Sequence, residues 1–263
     1  MGNETQDNFE EFYREWRDEQ KQQLDNLVFA SNNSQPPQTD SSSLSVLVAG
    51  VVAHYERYYK TKSKCAKADV LLLLSPPWTT SLEDAFIWVG GWRPTTAFHL
   101  LYSKSGLQFV AKFEAVESGA AASPIDLGDL SSEQVHLIDT LQRRTIVEER
   151  KISEKLAKQQ ERVADAEMVE LSHDVNELSR VEGDDTSFVT GRIKSTLKLK
   201  EEGFHKILQS ADDLRLGTIK AVVDILTPMQ AVHFLIAAAE LQLSLRDWGR
   251  EKEEREASSQ AVA

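Results

Sequence analysis

Side chains that could perform catalysis or bind metals occur in this sequence without the spacing that such chemistry needs. The chain has six histidines and a single cysteine, Cys65, and no His-Glu-x-x-His pattern. A cysteine pair, a glycine-rich phosphate loop and a Gly-x-Ser-x-Gly nucleophile motif are also absent from it. Carboxylates are plentiful, but they recur on the polar faces of helical patterns, where solvated side chains are the usual arrangement. The sequence therefore predicts a protein that is not an enzyme.

The charge balance limits the partners. With 42 acidic and 30 basic residues, the formal charge is −12. The net field repels duplex DNA, so we expect no direct DNA binding. Lysines and arginines between residues 57 and 67, among them Lys62, form a basic patch on a predicted helix face, which is typical of a solvated surface or of contact with an acidic partner. No apolar run approaches the ~20 residues of a membrane span, so no membrane association is expected.

A tryptophan-rich stretch, Ser75–Gly106, contains three of the five tryptophans. Thr80 and Glu83 have the spacing of a capping box, which predicts the start of a helix. Gly90 and Gly91 then predict its end, because glycine adopts the left-handed conformation without steric cost. Pro94 suits the first turn of a following helix. The stretch therefore predicts a short helical hairpin that longer elements must cover.

Apolar residues at three- and four-residue steps predict long helices in the rest of the chain. Clear start signals are the capping box of Ser131 and the Thr227-Pro228 pair. The predicted helices span 8–30, 44–74, 131 to about 179, 186–226, and 227 onwards. The fold class is therefore predicted as all-α, a single-domain multi-helix bundle with long antiparallel helices and a short Trp-rich helical hairpin.

The predicted domain comprises residues 1–263. Residues 1–8 are expected to be a flexible N-terminus, and the polar or small-residue segments 31–43 and 117–130 are expected to be loops. The acidic residues 252–263 are expected to form a disordered tail. None of these segments is long enough to separate two independent domains.

The tryptophan-rich stretch resembles the signature of the plant DOG (Delay of Germination) domain. This domain occurs in seed-dormancy regulators and in the C-terminal half of TGA-type bZIP transcription factors. The signature residues are Trp78, Glu83, Phe86, Trp88, Gly90, Gly91, Trp92, Arg93 and Pro94. The last predicted helix, with its Leu-Thr-x-x-Gln-Ala start, resembles the same family, so the resemblance extends over nearly the whole chain.

An N-terminal motif also resembles this family, and the resemblance implies that it contacts type 2C protein phosphatases. The candidate partner-binding residues are Glu11, Phe12, Tyr13, Glu15 and Trp16. The alternative is that the aromatic residues of this motif pack the first helix onto the core.

The resemblance implies a regulatory adaptor in seed dormancy, abscisic acid or stress signalling, located in the nucleus and cytoplasm. The expected partners are type 2C protein phosphatases or other DOG-domain and bZIP proteins, with a homodimer as a further option. One alternative is a transcription-associated regulator that acts through TGA-type bZIP partners. The other is a haem- or lipid-sensing helical module, for which the resemblance makes His233 the candidate haem ligand.

Overall fold

A computed structural model of the protein describes residues 2–33, 41–117, 126–178 and 187–262, and all of its regular structure in these ranges is helical. The helices are α1 (Gly2–Asn33), α2 (Ser41–Ala66), α3 (Val70–Leu74), α4 (Ser81–Asp84), α5 (Thr96–Glu117), α6 (Ser132–Glu161), α7 (Ala166–Leu178), α8 (Ser187–Ile225) and α9 (Pro228–Val262). The predicted all-α, single-domain bundle is confirmed.

The long helices pack antiparallel, as predicted. Along α1 and α9, Gln20 donates a hydrogen bond to Gln242, whereas Tyr13 lies beside Arg246, so the two helices run in opposite directions. Helices α6 and α8 show the same relation over a longer distance. The side chain of Gln134 donates to the carbonyl of Ile225, and that of Gln159 donates to the carbonyl of Lys200.

One large apolar core joins α1, α2, α5, α6, α8 and α9. Its fully buried members include Leu27, Phe98, Leu101, Ile138, Val222 and Val232. Burial of such side chains stabilises the fold by roughly 1.5–3 kcal/mol each. Two smaller clusters extend the core along α8 towards the tryptophan-rich stretch. This stretch therefore lies against α8, which holds it in place.

Both of the clearest start signals are confirmed. The Ser131 hydroxyl accepts a hydrogen bond from the Gln134 amide, and the Gln134 side chain accepts one from the Ser131 amide. Thr227 and Gln230 make the same reciprocal pair at the start of α9. Gln134 and Gln230 also bond to one another, at 2.7 Å, so the two caps brace each other.

The predicted helical hairpin is present as α4, an irregular turn and α5, but its first helix is shorter than predicted. The Thr80–Glu83 capping box forms, but the helix that it starts, α4, ends at Asp84. Residues 85–95 follow an irregular path, and α5 begins only at Thr96. The chain can leave the helix here because side chains from distant helices satisfy its carbonyl groups.

Helix boundaries also differ from prediction elsewhere. Helix α1 begins at Gly2, where a flexible N-terminus was expected, and buried Phe9 anchors its first turns. Helix α9 continues to Val262 through the expected disordered tail, supported by i,i+4 ion pairs such as Lys252–Glu256. The single helix expected over 44–74 is divided in two between Ala66 and Val70.

The expected loops are described only in part. Residues 34–40 and 118–125 lie outside the described residues, and helices α1 and α5 reach Asn33 and Glu117 before them. Next to the second of these gaps, Leu127–Asp129 form one short 3₁₀ turn.

Candidate functional site

The centre of the signature is a tight turn at residues 88–91. The amide of Trp88 donates to the carbonyl of Gly91 at 2.7 Å, and the amide of Gly91 donates to the carbonyl of Trp88 at 3.2 Å. Two consecutive residues inside it adopt the left-handed region, Val89 with φ of 46° and Gly90 with φ of 66°. A β-branched residue such as Val89 seldom adopts this conformation, so surrounding contacts must hold the turn.

Arg215 of α8 supplies most of those contacts. Its side chain is completely buried. The Nε–H group donates to the carbonyl of Trp92 at 2.7 Å, and Nη2 donates to the carbonyl of Val89 at 2.8 Å and to that of Trp88. The five donors of a guanidinium form a fixed planar fork, which suits a set of carbonyls that converge from one turn.

Lys62 of α2 completes this arrangement. Its ammonium donates to the carbonyl of Gly90 at 2.7 Å and to Asp212 Oδ1 at 2.9 Å, and Asp212 also pairs with Arg215. Burial lowers the pKa of Lys62 to about 8, although the neighbouring Asp212 acts in the opposite direction. Lys62 was expected in an exposed basic patch, and that prediction is wrong for this residue. We call Lys62, Asp212 and Arg215 the buried clasp.

The two glycines of the turn are needed for space as well as for conformation. A Cβ atom on Gly90 would lie 2.4 Å from the carbonyl oxygen of Leu73. One on Gly91 would lie 2.9 Å from the guanidinium carbon of Arg215. The chain can approach α3 and the buried clasp this closely only because both side chains are absent.

The two tryptophans beside the turn are fixed by their indole N–H groups. Trp88 donates to Ser153 Oγ at 3.0 Å, and Trp92 donates to the hydroxyl of Tyr59 at 2.9 Å. Each bond joins the turn to a different long helix, α6 and α2 respectively. Both residues therefore have a structural role in the fold.

Arg93 and Pro94 lead the chain from the turn into α5. Arg93 pairs with Glu149 of α6 at 2.8 Å, and the same carboxylate accepts a hydrogen bond from the amide of Thr95 at 2.6 Å. The Glu149 side chain is almost completely buried. Pro94, also buried, precedes the first turn of α5 as the sequence indicated.

The first part of the signature lies against α9. Glu83 serves as the capping residue of Thr80 and also pairs with Arg246 at 3.2 Å. The same arginine donates to the carbonyl of Trp78 at 3.0 Å. Phe86 differs from its neighbours, because 63% of its surface is exposed.

The N-terminal motif is divided between core and surface. Trp16 is buried, its ring stacks on His54 with centroids 4.6 Å apart, and its indole N–H donates to the His54 carbonyl. Phe12 and Tyr13 are half-buried and pack on the same core. The two carboxylates of the motif are exposed, namely Glu11 and Glu15. Trp16 thus supports α1 from inside, and the exposed part of the motif is acidic.

The structure brings the two predicted motifs together at one junction. The Trp78 ring centroid lies 5.4 Å from that of Phe9 and 6.2 Å from that of Tyr13. Arg246 also lies over the ring of Tyr13, with its guanidinium carbon 5.9 Å from the ring centroid. The N-terminal motif, the signature and α9 therefore share one surface, the α1–α9 junction.

His233 lies apart from this junction, between α9 and α5. Its Nδ1 atom is 3.4 Å from the side-chain nitrogen of Gln108. Burial lowers the pKa of His233, opposed by Asp126 and reinforced by Lys104 and Lys112. A polar and charged surround of this kind does not fit the broad apolar faces of a porphyrin. Haem binding stays a prediction, and a Soret band lost in His233→Ala would test it.

Across the described ranges, histidine, cysteine and carboxylate side chains nowhere gather in groups of three that could hold a metal ion. Within the same residues, no helix combines the length and apolar character required to cross a bilayer.

Comparison with known proteins identifies the family. The DOG1 family model, described as seed dormancy control, matches residues 22–103, which include the whole signature. Protein DOG1-like 4 of Arabidopsis thaliana is 30% identical over 252 residues, which cover 96% of each chain. The chain belongs to the DOG1 family. The N-terminal motif and His233 lie outside the range that the DOG1 family model matches, although the alignment with the relative extends over nearly the whole chain.

Two further relatives of this DOG1-family chain have informative names. Protein RESPONSE TO ABA AND SALT 1 of Arabidopsis thaliana is 26% identical over 232 residues, or 87% of this chain and 89% of that protein. Transcription factor TGA5 of the same plant is 30% identical over 239 residues, or 90% of this chain and 62% of that protein. This chain is thus similar both to a protein named for its response to ABA and salt and to a transcription factor.

Several residues that build the site were not recognised in the sequence as part of it. These residues belong to α2, α8 and α9 and lie outside the signature; they are Lys62, Asp212, Arg215 and Arg246. A charged residue at a position that helical periodicity assigns to the buried face was the available signal, since such residues are seldom buried without a partner. The partners of these charged residues could not be deduced from the sequence, because many of them are backbone carbonyls of the irregular turn.

Proposed function

We propose that this chain is a non-enzymatic adaptor in abscisic acid-linked seed or stress regulation and that it binds type 2C protein phosphatases. The observation that supports it most is the similarity over 96% of the chain to a DOG1-like protein. The name of the relative RESPONSE TO ABA AND SALT 1 favours the hormone-linked process. Internal hydrogen bonds occupy the polar side chains of the signature turn, and this favours a role in the fold over a role in a reaction.

The phosphatase contact is proposed at the exposed edge of the N-terminal motif. Glu11 and Glu15 lie one helical turn apart, so they form one acidic strip on α1. Trp16 and its stacking partner His54 hold this part of α1 against α2. The buried ring would therefore position the strip, and the two carboxylates would meet the partner.

A charge-reversal experiment tests the contact. The double variant Glu11→Lys/Glu15→Lys should lose capture of a type 2C phosphatase in a pull-down, with its far-ultraviolet circular dichroism unchanged. Asp25→Lys/Glu154→Lys is the matched control, because it changes two exposed carboxylates elsewhere by the same total charge. Equal capture by both variants would exclude this strip as the phosphatase site.

A transcription-associated role through TGA-type bZIP partners is the second candidate. The identity of 30% to Transcription factor TGA5 favours it. Because the net charge of −12 disfavours direct DNA contact, such a role would act through the partner, in the nucleus as well as the cytoplasm. In a mobility-shift assay, the purified chain should leave DNA unshifted and should retard a complex of DNA with a TGA factor further. A shift by the chain alone would contradict this.

A further inference from the structure

Three arginines gather where α1 meets α9. The guanidinium carbons of Arg17 and Arg246 lie 5.7 Å and 5.9 Å from the ring centroid of Tyr13, one from each helix. Arg250, one turn beyond Arg246 on α9, is exposed and close enough to act electrostatically on Arg17. We call these three residues the arginine seam.

The members of the seam differ in their partners. Arg246 donates to the carbonyl of Trp78 and pairs with Glu83, so its charge is compensated. The buried Nε–H groups of Arg17 and Arg246 both have no hydrogen-bond partner, but Arg17, unlike Arg246, forms no ion pair with any described residue. A buried donor without a partner is costly, and few native structures retain one without a reason.

The electrostatics of Arg17 agree with this geometry. Burial lowers the pKa of its guanidinium, and the positive charges of Arg246 and Arg250 lower it further. Tyr13 and the adjacent Asp18 oppose the shift without reversing it. An arginine remains charged in a protein under these conditions, so the seam retains uncompensated positive charge.

We propose that the arginine seam receives a carboxylate side chain from an acidic segment of a partner protein. This carboxylate binds Arg17 of α1, next to Arg250 of α9. Charge complementarity carries this choice of partner. A single negative charge fits better than a phosphoryl group, because the carboxylate of Asp18 already acts electrostatically on Arg17. Only the assumption that the ligand belongs to a protein rests on the proposed adaptor function.

Nuclear magnetic resonance on the full chain can detect this binding directly. The probe is a short peptide with two adjacent glutamates between serine and glycine residues, and its matched control contains two glutamines instead. The Nε–Hε resonance of Arg17, assigned by its loss in Arg17→Gln, should shift in a saturable way with the glutamate peptide only. An equal shift with the glutamine peptide, or no shift, overturns the proposal.

Variants then locate the peptide. Arg17→Gln keeps most of the side-chain stem and should weaken peptide affinity at least about tenfold, because charge-assisted bonds to a guanidinium are strong. Arg250→Gln, at an exposed position, should weaken it about threefold. Arg14→Gln is the control on the same helix, since Arg14 is 65% exposed and lies near Glu11, and it should leave affinity unchanged. If Arg14→Gln weakens binding as much as Arg17→Gln, the effect is one of net charge, and the proposed site is wrong.

Inorganic phosphate separates the two kinds of anion. It should displace the glutamate peptide only at concentrations that also screen other surface charges. Displacement at low concentration, with a large shift of the Arg17 resonance, would show a phosphoryl site and overturn the carboxylate proposal. No phosphatase takes part in the titration, so its failure leaves the proposed phosphatase contact standing, and failure of the pull-down leaves the titration interpretable.

Discussion

The buried clasp and the arginine seam use the same residue type in opposite ways. Arg215 donates to three carbonyls of the signature turn and pairs with Asp212, so its hydrogen-bonding groups hold the fold. Arg17, beside the N-terminal motif, has a buried donor without a partner. The difference teaches that an arginine paired with a carboxylate and with carbonyls inside the fold indicates structure, whereas an arginine at a helix junction that forms no ion pair with a described residue is where we propose a ligand.

Removing the buried clasp should have the largest effect. Arg215→Met leaves carbonyls of the turn and the Asp212 carboxylate without their main donor, so we expect a loss of about 3–5 kcal/mol in the free energy of unfolding. Urea denaturation followed by circular dichroism measures it. Arg143→Met, which removes an exposed i,i+4 ion pair, is the control and should cost less than about 0.5 kcal/mol. A similar small loss for both variants would remove the structural side of the comparison.

A substitution in the turn at residues 88–91 should have the next largest effect on the free energy of unfolding. Gly90→Ala places a Cβ atom against the Leu73 carbonyl in a left-handed conformation, and we expect it to cost about 3 kcal/mol in the same assay. Gly50, in the middle of α2, has open space around it, so Gly50→Ala should stabilise the protein by about 0.5–1 kcal/mol. Opposite signs for the two substitutions would confirm that the turn needs its glycine, and equal signs would contradict it.

On the core side of the N-terminal motif, buried His54 predicts that the stability of the fold depends on pH. Burial lowers the pKa of His54 to about 4, from an ordinary value of 6.5. The unfolded chain therefore takes up this proton first, and stability is lost as the pH falls from about 6.5 towards 4, by on the order of 2 kcal/mol. His54→Phe keeps a ring on Trp16 and should flatten the unfolding free energy in this range.

Neighbouring charges define the control for that experiment. Glu19 and Arg57 both face the Nδ1 atom of His54, and these remain in the variant. The comparison of the two pH profiles therefore isolates the imidazole. Parallel profiles for wild type and His54→Phe would show that the histidine does not contribute.

The smallest expected effect completes the comparison. Arg17→Gln should change the free energy of unfolding by no more than about 1 kcal/mol, because it removes no ion pair with a described residue and only one contact of the guanidinium with the Tyr13 ring. Thermal unfolding measures this. A destabilisation comparable with that of Arg215→Met would mean that Arg17 is structural and that the two regions do not differ.

Local signals in the sequence were sufficient for much of the fold. The caps at Ser131 and Thr227 formed as predicted, because their donors and acceptors lie within three residues of one another. The antiparallel arrangement followed from long amphipathic helices. The first helix of the hairpin is shorter than predicted because Thr80 and Glu83 define only where a helix starts, and the side chains that hold the chain after its end belong to α2 and α8.

The candidate site was predictable to a smaller degree. The resemblance directed attention to the signature and the N-terminal motif, and the structure shows that they meet at Tyr13 and Trp78. The sequence could not show that Trp16 is buried while Glu11 and Glu15 are exposed, since an aromatic stripe suits either a core or a surface. Arg17 and Arg246 are 229 positions apart, and only the tertiary fold brings them to one ring.

Close packing at Gly249 joins α9 directly to the start of the signature. A Cβ atom at this position would lie only 2.1 Å from the Thr80 hydroxyl, and the amide of Ser81 donates to Glu253 one turn later. A larger side chain at residue 249 would therefore force α4 and this part of α9 apart, so the start of the signature depends on a glycine of the last helix.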